Sequence, residues 1–134
     1  MPPERSETVP VRTSDDVVRV RQAVRANAVA VGFGLVDQTK IITAASEIAR
    51  NTVDYGGGGT LLIEILREGQ RRGVRLTFTD QGPGIPDVGR ALADGYTTGG
   101  GLGLGLSGAK RLSNEFDIVS SPGRGTVVVL ARWK

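Results

Sequence analysis

Glu47 and Asn51 stand four residues apart in a stretch that reads as a helix, so they share one face, one turn above the other. Ala44 and Asp54 fall on the same side, whereas Ile41 and Ala45 point elsewhere. A carboxylate and a carboxamide beside a small alanine leave room for a ligand. The amide offers a neutral oxygen to Mg²⁺, and the carboxylate can take a proton or orient a hydroxyl. Alone, an E-x-x-x-N pair is more often a solvated helix face. Asp80 offers different chemistry. It ends an apolar strand, and Gly82 and Gly84 let the backbone turn tightly around something. An ionised carboxylate only accepts hydrogen bonds, so it can receive the exocyclic N–H₂ of adenine and would reject guanine, which presents an acceptor there. The plainer alternative is an Asp-x-Gly turn closing a strand.

The third element is the run Gly99-Gly-Gly-Leu-Gly-Leu-Gly105-Leu106, leading into Ser107-Gly-Ala-Lys-Arg-Leu112. Each glycine in regular structure costs about 0.5–1 kcal/mol relative to alanine, so the run needs a compensating use. Backbone N–H groups converging on phosphates at a helix start would supply one. Gly103-x-Gly105-x-x-Gly108 formally satisfies the dinucleotide-binding fingerprint, but Gly95-Tyr-Thr-Thr98 precedes it where a strand is required. No G-x-x-x-x-G-K-[ST] occurs, which excludes the P-loop. A flexible surface loop would explain the glycines but not their lead into a helix.

The remaining chain must hold these three pieces together. Residues 1–7 read as a frayed end and Thr8–Thr13 as an edge strand. Ser14-Asp-Asp gives an N-cap and acidic first turn, and Val17, Val20, Val24, Ala28 and Val31 follow at helical spacing to about Gly32. Asp37 is a second candidate N-cap, for a helix whose buried stripe is Ile41, Ala45, Ile48 and Thr52 and which stops near Gly56. Thr60–Arg67 and Gly73–Asp80 read as a hairpin, the second strand alternating Val74, Leu76 and Phe78 with Arg75, Thr77 and Thr79. Short helices are expected from Pro86 to about Ala93 and from Leu106 to Leu112. A closing hairpin is expected of Asn114–Ser120 and Thr126–Trp133. Hairpins dominate, so the expected class is α+β, a mostly antiparallel sheet with helices on one face.

With 134 residues the chain suits one domain, 1–134. Only 4% of residues are aromatic, so the core must be built from Val, Ile, Leu and Ala. Net charge is 17 − 14 = +3, too small to argue for nucleic acid, and no basic stretch interleaves with aromatics. There is no cysteine and no histidine, which removes thiolate metal sites, disulfides and the commonest general base. No apolar run approaches ~18 residues, so no membrane association and a cytoplasmic location are expected. The arginines from Arg67 to Arg75 read as a solvated run.

Taken together, these pieces resemble the GHKL (Bergerat-fold) ATPase superfamily. Glu47-Ile-Ala-Arg-Asn51 matches its N box, Asp80-Gln-Gly-Pro-Gly84 its first glycine box and Gly101-Leu-Gly-Leu-Gly105 its second. Gly125-Thr126 matches a later G-T whose threonine helps the aspartate hold adenine. The resemblance covers about residues 8–134. It narrows to RsbT-type serine/threonine kinases of the stressosome through Asp94-Gly-Tyr-Thr-Thr98, Lys110-Arg-Leu-Ser-Asn-Glu-Phe116 and the closing Arg132-Trp-Lys134.

The resemblance implies a two-layer sandwich with a mostly antiparallel mixed sheet. It implies ATP with Mg²⁺, Asn51 as metal ligand and Glu47 as the catalytic group. Nucleotide contacts would come from Asn51, Asp80, Gly82, Gly84, Thr98, Gly101, Leu102, Gly103, Leu104, Gly105 and Thr126. The implied partners are STAS-domain stressosome proteins as substrates and a PP2C-type phosphatase activated by binding. One departure stands out: no lysine or arginine occurs between Gly95 and Gly108, so charge on the phosphates must be met by the metal, backbone amides, Lys110, Arg111 or a partner. The rival reading is an anti-sigma factor or adaptor of the same fold in which nucleotide gates partner binding. A histidine kinase fits worst, for want of a histidine.

Overall fold

Val17, Val20, Val24, Ala28 and Val31 recur at helical spacing, and α1 (Ser14–Val31) buries all five. Its N-cap is Thr13, one residue before the expected Ser14, because Asp16 reaches back over the first turn. Asp16 Oδ2 accepts the Arg12 N–H at 2.9 Å and the Thr13 N–H at 3.3 Å. The Arg12 N–H above all holds the Asp16 carboxyl below the usual carboxylate range; burial opposes this, and Thr13 and Arg19 add to it. Gly32 closes the helix with a left-handed φ of 94°. Next, α2 (Leu35–Asp54) starts behind Gly34, not at Asp37. Asp37 lies in the first turn, where a carboxylate suits the helix dipole, and Arg132 from the far end of the chain binds it at 2.7 Å.

The computed structural model describes residues 3–84 and 105–134. The expected helix from Pro86 and most of the glycine run lie outside them. The described strands are β1 (Arg5–Val11), β2 (Gly59–Glu68), β3 (Arg71–Asp80), β4 (Glu115–Ser120) and β5 (Thr126–Trp133), with α3 (Gly105–Arg111) before β4. They form one sheet in the order β1-β2-β3-β5-β4. Every described neighbour is antiparallel, so among the described residues the sheet is not the mixed one expected. Tight hairpins join β2 to β3 and β4 to β5, and the α1–α2 hairpin brings the chain back antiparallel to β1.

Register sets which side chains face the helices. Leu76 lies opposite Ile63 and Leu130, and Phe78 opposite Leu61 and Val128, and all six are buried. With Ile41, Ala45 and Ile48 of α2 they form the core, one helix layer on one sheet face.

Strand β1 begins at Arg5, three residues before the expected Thr8. Glu4 is tied to Arg67 at 3.5 Å and Arg72 at 3.0 Å, and Glu7 accepts from the Asn27 amide at 2.7 Å. The same contacts revise the expectation of a solvated arginine run. Arg75 is held by Glu64 at 2.9 Å, and Arg71 lies 4.5 Å over the Trp133 ring.

Candidate functional site

The end of α2 and the end of β3 meet at Gly56. The Asn51 carbonyl accepts the N–H groups of Tyr55 (2.9 Å) and Gly56 (3.1 Å), terminating the helix. A Cβ on Gly56 would lie 2.5 Å from Cγ of Asp80, so only glycine lets the chain pass this close to the carboxylate. A Cβ on Gly82 would lie 2.6 Å from the Gly56 carbonyl oxygen. Gly84, beyond it, has φ 81° and backs onto the Ser121 carbonyl. The pieces carrying Asn51 and Asp80 are therefore packed backbone to side chain.

Asp80 is 9% exposed, and its Oδ1 accepts the Gly82 N–H at 2.9 Å. The Asp-x-Gly turn and the ligand reading thus coexist, since the turn occupies one oxygen only. Oδ2 accepts no hydrogen bond among the described residues. Thr126 is directly across the β3–β5 ladder and is buried to the same degree. Opposite residues of an antiparallel pair share a face with Cβ atoms about 4.5–5.5 Å apart. The Thr126 hydroxyl exchanges a 2.7 Å hydrogen bond with Ser120, its own partner on β4. Ser120 carried no sequence signal; only the register reveals it. Gly125, with φ 81°, places its Cα against the Asp80 carbonyl, where a Cβ would collide.

On α2, Asn51 is half-buried and its carboxamide makes no hydrogen bond among the described residues. Glu47 faces Arg50 at 3.2 Å, with side chains 20% and 55% exposed. That pairing was not read from sequence, although the i,i+3 spacing carries it. Ala44 is fully buried, so it does not open space beside the pair, and Asp54 is exposed and lines a groove against α1. Gly105 is the first residue of α3, so the glycine run does enter a helix. Lys110 and Arg111 form its exposed last turn. Thr98, Gly101, Leu102, Gly103 and Leu104 lie outside the described residues.

These donors fit a magnesium–nucleotide pair in kind. A half-buried carboxamide whose oxygen is uncommitted among the described residues suits a hard cation that keeps most of its water. A buried carboxylate with one oxygen unbonded among the described residues suits an amine-bearing base. The glycines at 56 and 125 bring backbone into direct contact with Asp80 and so fix the carboxylate in place.

The model for histidine kinase-, DNA gyrase B- and HSP90-like ATPases matches residues 36–134, and the chain belongs to that family. ATP use is the chemistry that defines it. Within the family, the chain is 45% identical over 125 residues to the serine/threonine-protein kinase RsbT of Bacillus subtilis (strain 168), covering 93% of this chain and 94% of that one. This similarity runs nearly end to end, and the enzyme class carries over: the chain is a protein kinase. It is also 31% identical to an anti-sigma F factor of Pasteuria penetrans, over 86% of this chain and 81% of that one. A solved structure holding the RsbU and RsbW domains of Rv1364c from Mycobacterium tuberculosis superposes with a TM-score of 0.65. The match is at 23% identity and covers 98% of this chain and 32% of that one, a likeness of fold. Among the described residues, no helix is long and apolar enough to cross a membrane.

Proposed function

We propose that the protein is a cytoplasmic, ATP-dependent serine/threonine kinase of a stress-response partner-switching module. It phosphorylates serine or threonine on STAS-domain stressosome scaffolds and, once released from them, activates a PP2C-type phosphatase by binding it. One observation supports this reading most: Gly56, whose N–H donates to the Asn51 carbonyl, packs directly against the Asp80 carboxylate, so the end of α2 and the end of β3 lie side by side.

In this reading Asp80 Oδ2 accepts the adenine amino group, with Thr126 beside it across the ladder. Asn51 is the residue that would hold Mg²⁺, which when bound neutralises charge on the phosphates. Backbone amides between Gly101 and Gly105, mostly outside the described residues, would meet the phosphates. Glu47 orients or deprotonates the incoming hydroxyl, and to do so it must turn from Arg50. No cationic side chain stands between Gly95 and Gly108, so Lys110, Arg111 or a partner supplies further charge and turnover is slow and partner-gated. The test is radiolabel transfer from ATP to a purified STAS-domain protein, by wild type and Glu47→Ala. Transfer that vanishes in the variant while ATP still binds is the expected result. Rapid single-turnover phosphorylation of free peptides would remove the gating claim.

A second reading, an anti-sigma factor in which nucleotide gates binding, draws on the anti-sigma F factor similarity. It predicts co-purification with a sigma factor and no label transfer to the STAS-domain protein.

A further inference from the structure

The first turns of α1 and the last of α2 frame a groove of about 290 Å³ whose lining includes Val18, Arg21, Arg50, Val53 and Asp54. From it one stripe continues along the solvent side of α1. At about 100° per residue, Val18, Arg21, Arg25 and Val29 fall within one narrow arc. Val18 and Val29 are 55% and 56% exposed, and beyond the turn Leu35 and Val36 are 76% and 67% exposed. Isolated surface valines need no explanation, but two on one edge of α1 with Leu35 and Val36 exposed at the start of α2 do.

Beyond the first turn of α1, which carries Asp15 and Asp16, the charges along the stripe are basic. No carboxylate occurs between Asp16 and Asp37. Arg19 is paired with Asp16, whereas Arg21 and Arg25 form no ion pair among the described residues. Asp54 is the one acid in the groove, against Arg21 and Arg50. The α1 part of this surface precedes residue 36, where the match to the shared ATPase model begins.

The geometry points to a docking surface for an acidic amphipathic helix of a partner protein, its apolar side on Val18, Val29 and Leu35 and its carboxylates on Arg21 and Arg25. The 18 residues of α1 span about 27 Å, enough to seat roughly five turns. Arg50 links this surface to the kinase site, in a step that rests on Glu47 being the catalytic group. Arg50 lines the groove, and its guanidinium is bound to Glu47 at 3.2 Å. A partner carboxylate in the groove competes for Arg50 and frees Glu47. Because an exposed i,i+3 pair is weak, the exchange alters transfer about twofold.

The probe is a synthetic helix of about 20 residues with a leucine stripe flanked by glutamates, beside the same helix carrying lysines. In a fluorescence-anisotropy titration without ATP, wild type binds the acidic helix and not the basic one. Arg21→Glu combined with Arg25→Glu weakens binding about tenfold or more, with unchanged circular dichroism. Equal binding of both helices, or undiminished affinity in the double variant, overturns the docking surface. In single-turnover transfer to a STAS-domain acceptor, the acidic helix speeds wild type about twofold and leaves Arg50→Ala, already at the faster rate, unchanged. Binding without acceleration overturns the Arg50 link. Absence of all transfer by wild type overturns the kinase reading instead, and the titration still decides the surface.

Discussion

The two ends of the candidate site are built on opposite plans. Around Asp80 every element is over-determined: the carboxylate is buried, Gly82 holds one oxygen, and Gly56 and Gly125 approach so closely that no side chain could replace their hydrogens. Around Glu47 and Asn51 there is little restraint. Both project from a helix face, the carboxamide makes no hydrogen bond among the described residues, and the carboxylate leans on an exposed arginine. In the proposed reading the contrast corresponds to two tasks. Reading a base rewards a rigid frame, since discrimination comes from one pre-set acceptor. Transferring a phosphoryl group to a protein hydroxyl requires groups that reorient when the partner arrives.

Changes at the two ends should therefore damage different quantities. The largest effect belongs to the loose end: Glu47→Ala should slow transfer ~10²–10⁴-fold with ATP affinity intact, as read by single-turnover kinetics beside calorimetry. A parallel fall in both would merge the two ends. At the rigid end, Gly125→Ala must put an alanine at φ 81° and against the Asp80 carbonyl. It should cost about 2–4 kcal/mol in urea unfolding, whereas Asn51→Ala on the open face should cost under about 1 kcal/mol. Asp80→Asn keeps the shape but turns an acceptor into an amide that must flip, so it should lose most ATP binding, about tenfold or more in titration calorimetry, with little change in unfolding. A free energy of unfolding that drops with it would make Asp80 structural first.

The smallest effect calibrates the others from outside both ends. The Asp16 carboxyl is lowered chiefly by the Arg12 N–H, so its contribution is fully present above the ordinary carboxylate pKa and is lost as pH falls through the lowered one. Wild type should therefore lose more stability on acidification than Asp16→Asn, in urea melts run down through the acid range. Identical pH profiles would remove Asp16 from the account.

Periodicity carried most of the secondary structure. Valines at helical spacing specified α1, and the alternation through Val74, Leu76 and Phe78 specified β3 and its buried face. The boundaries moved where distant residues intervened. Glu4 extended β1 by recruiting Arg67 and Arg72, and Arg132, 95 positions away in sequence, took Asp37 out of a capping role. Local spacing placed Glu47 and Asn51 on one face, but the neighbours of that face were not local. Ala44 proved to be core, Asp54 belongs to the α1 groove, and Ser120 entered only through strand register.

Chain order thus settled which residue types could meet a nucleotide, because the helical and strand repeats that orient side chains are properties of a few adjacent residues. Which of those residues share a neighbourhood is another matter. The approach of Gly56 to Asp80, the pairing of Asp80 with Thr126 and the placing of Arg50 between groove and carboxylate arise when α2 packs on the sheet and β5 pairs with β3. Close packing and ladder register act over the whole fold, and no window along the chain contains them.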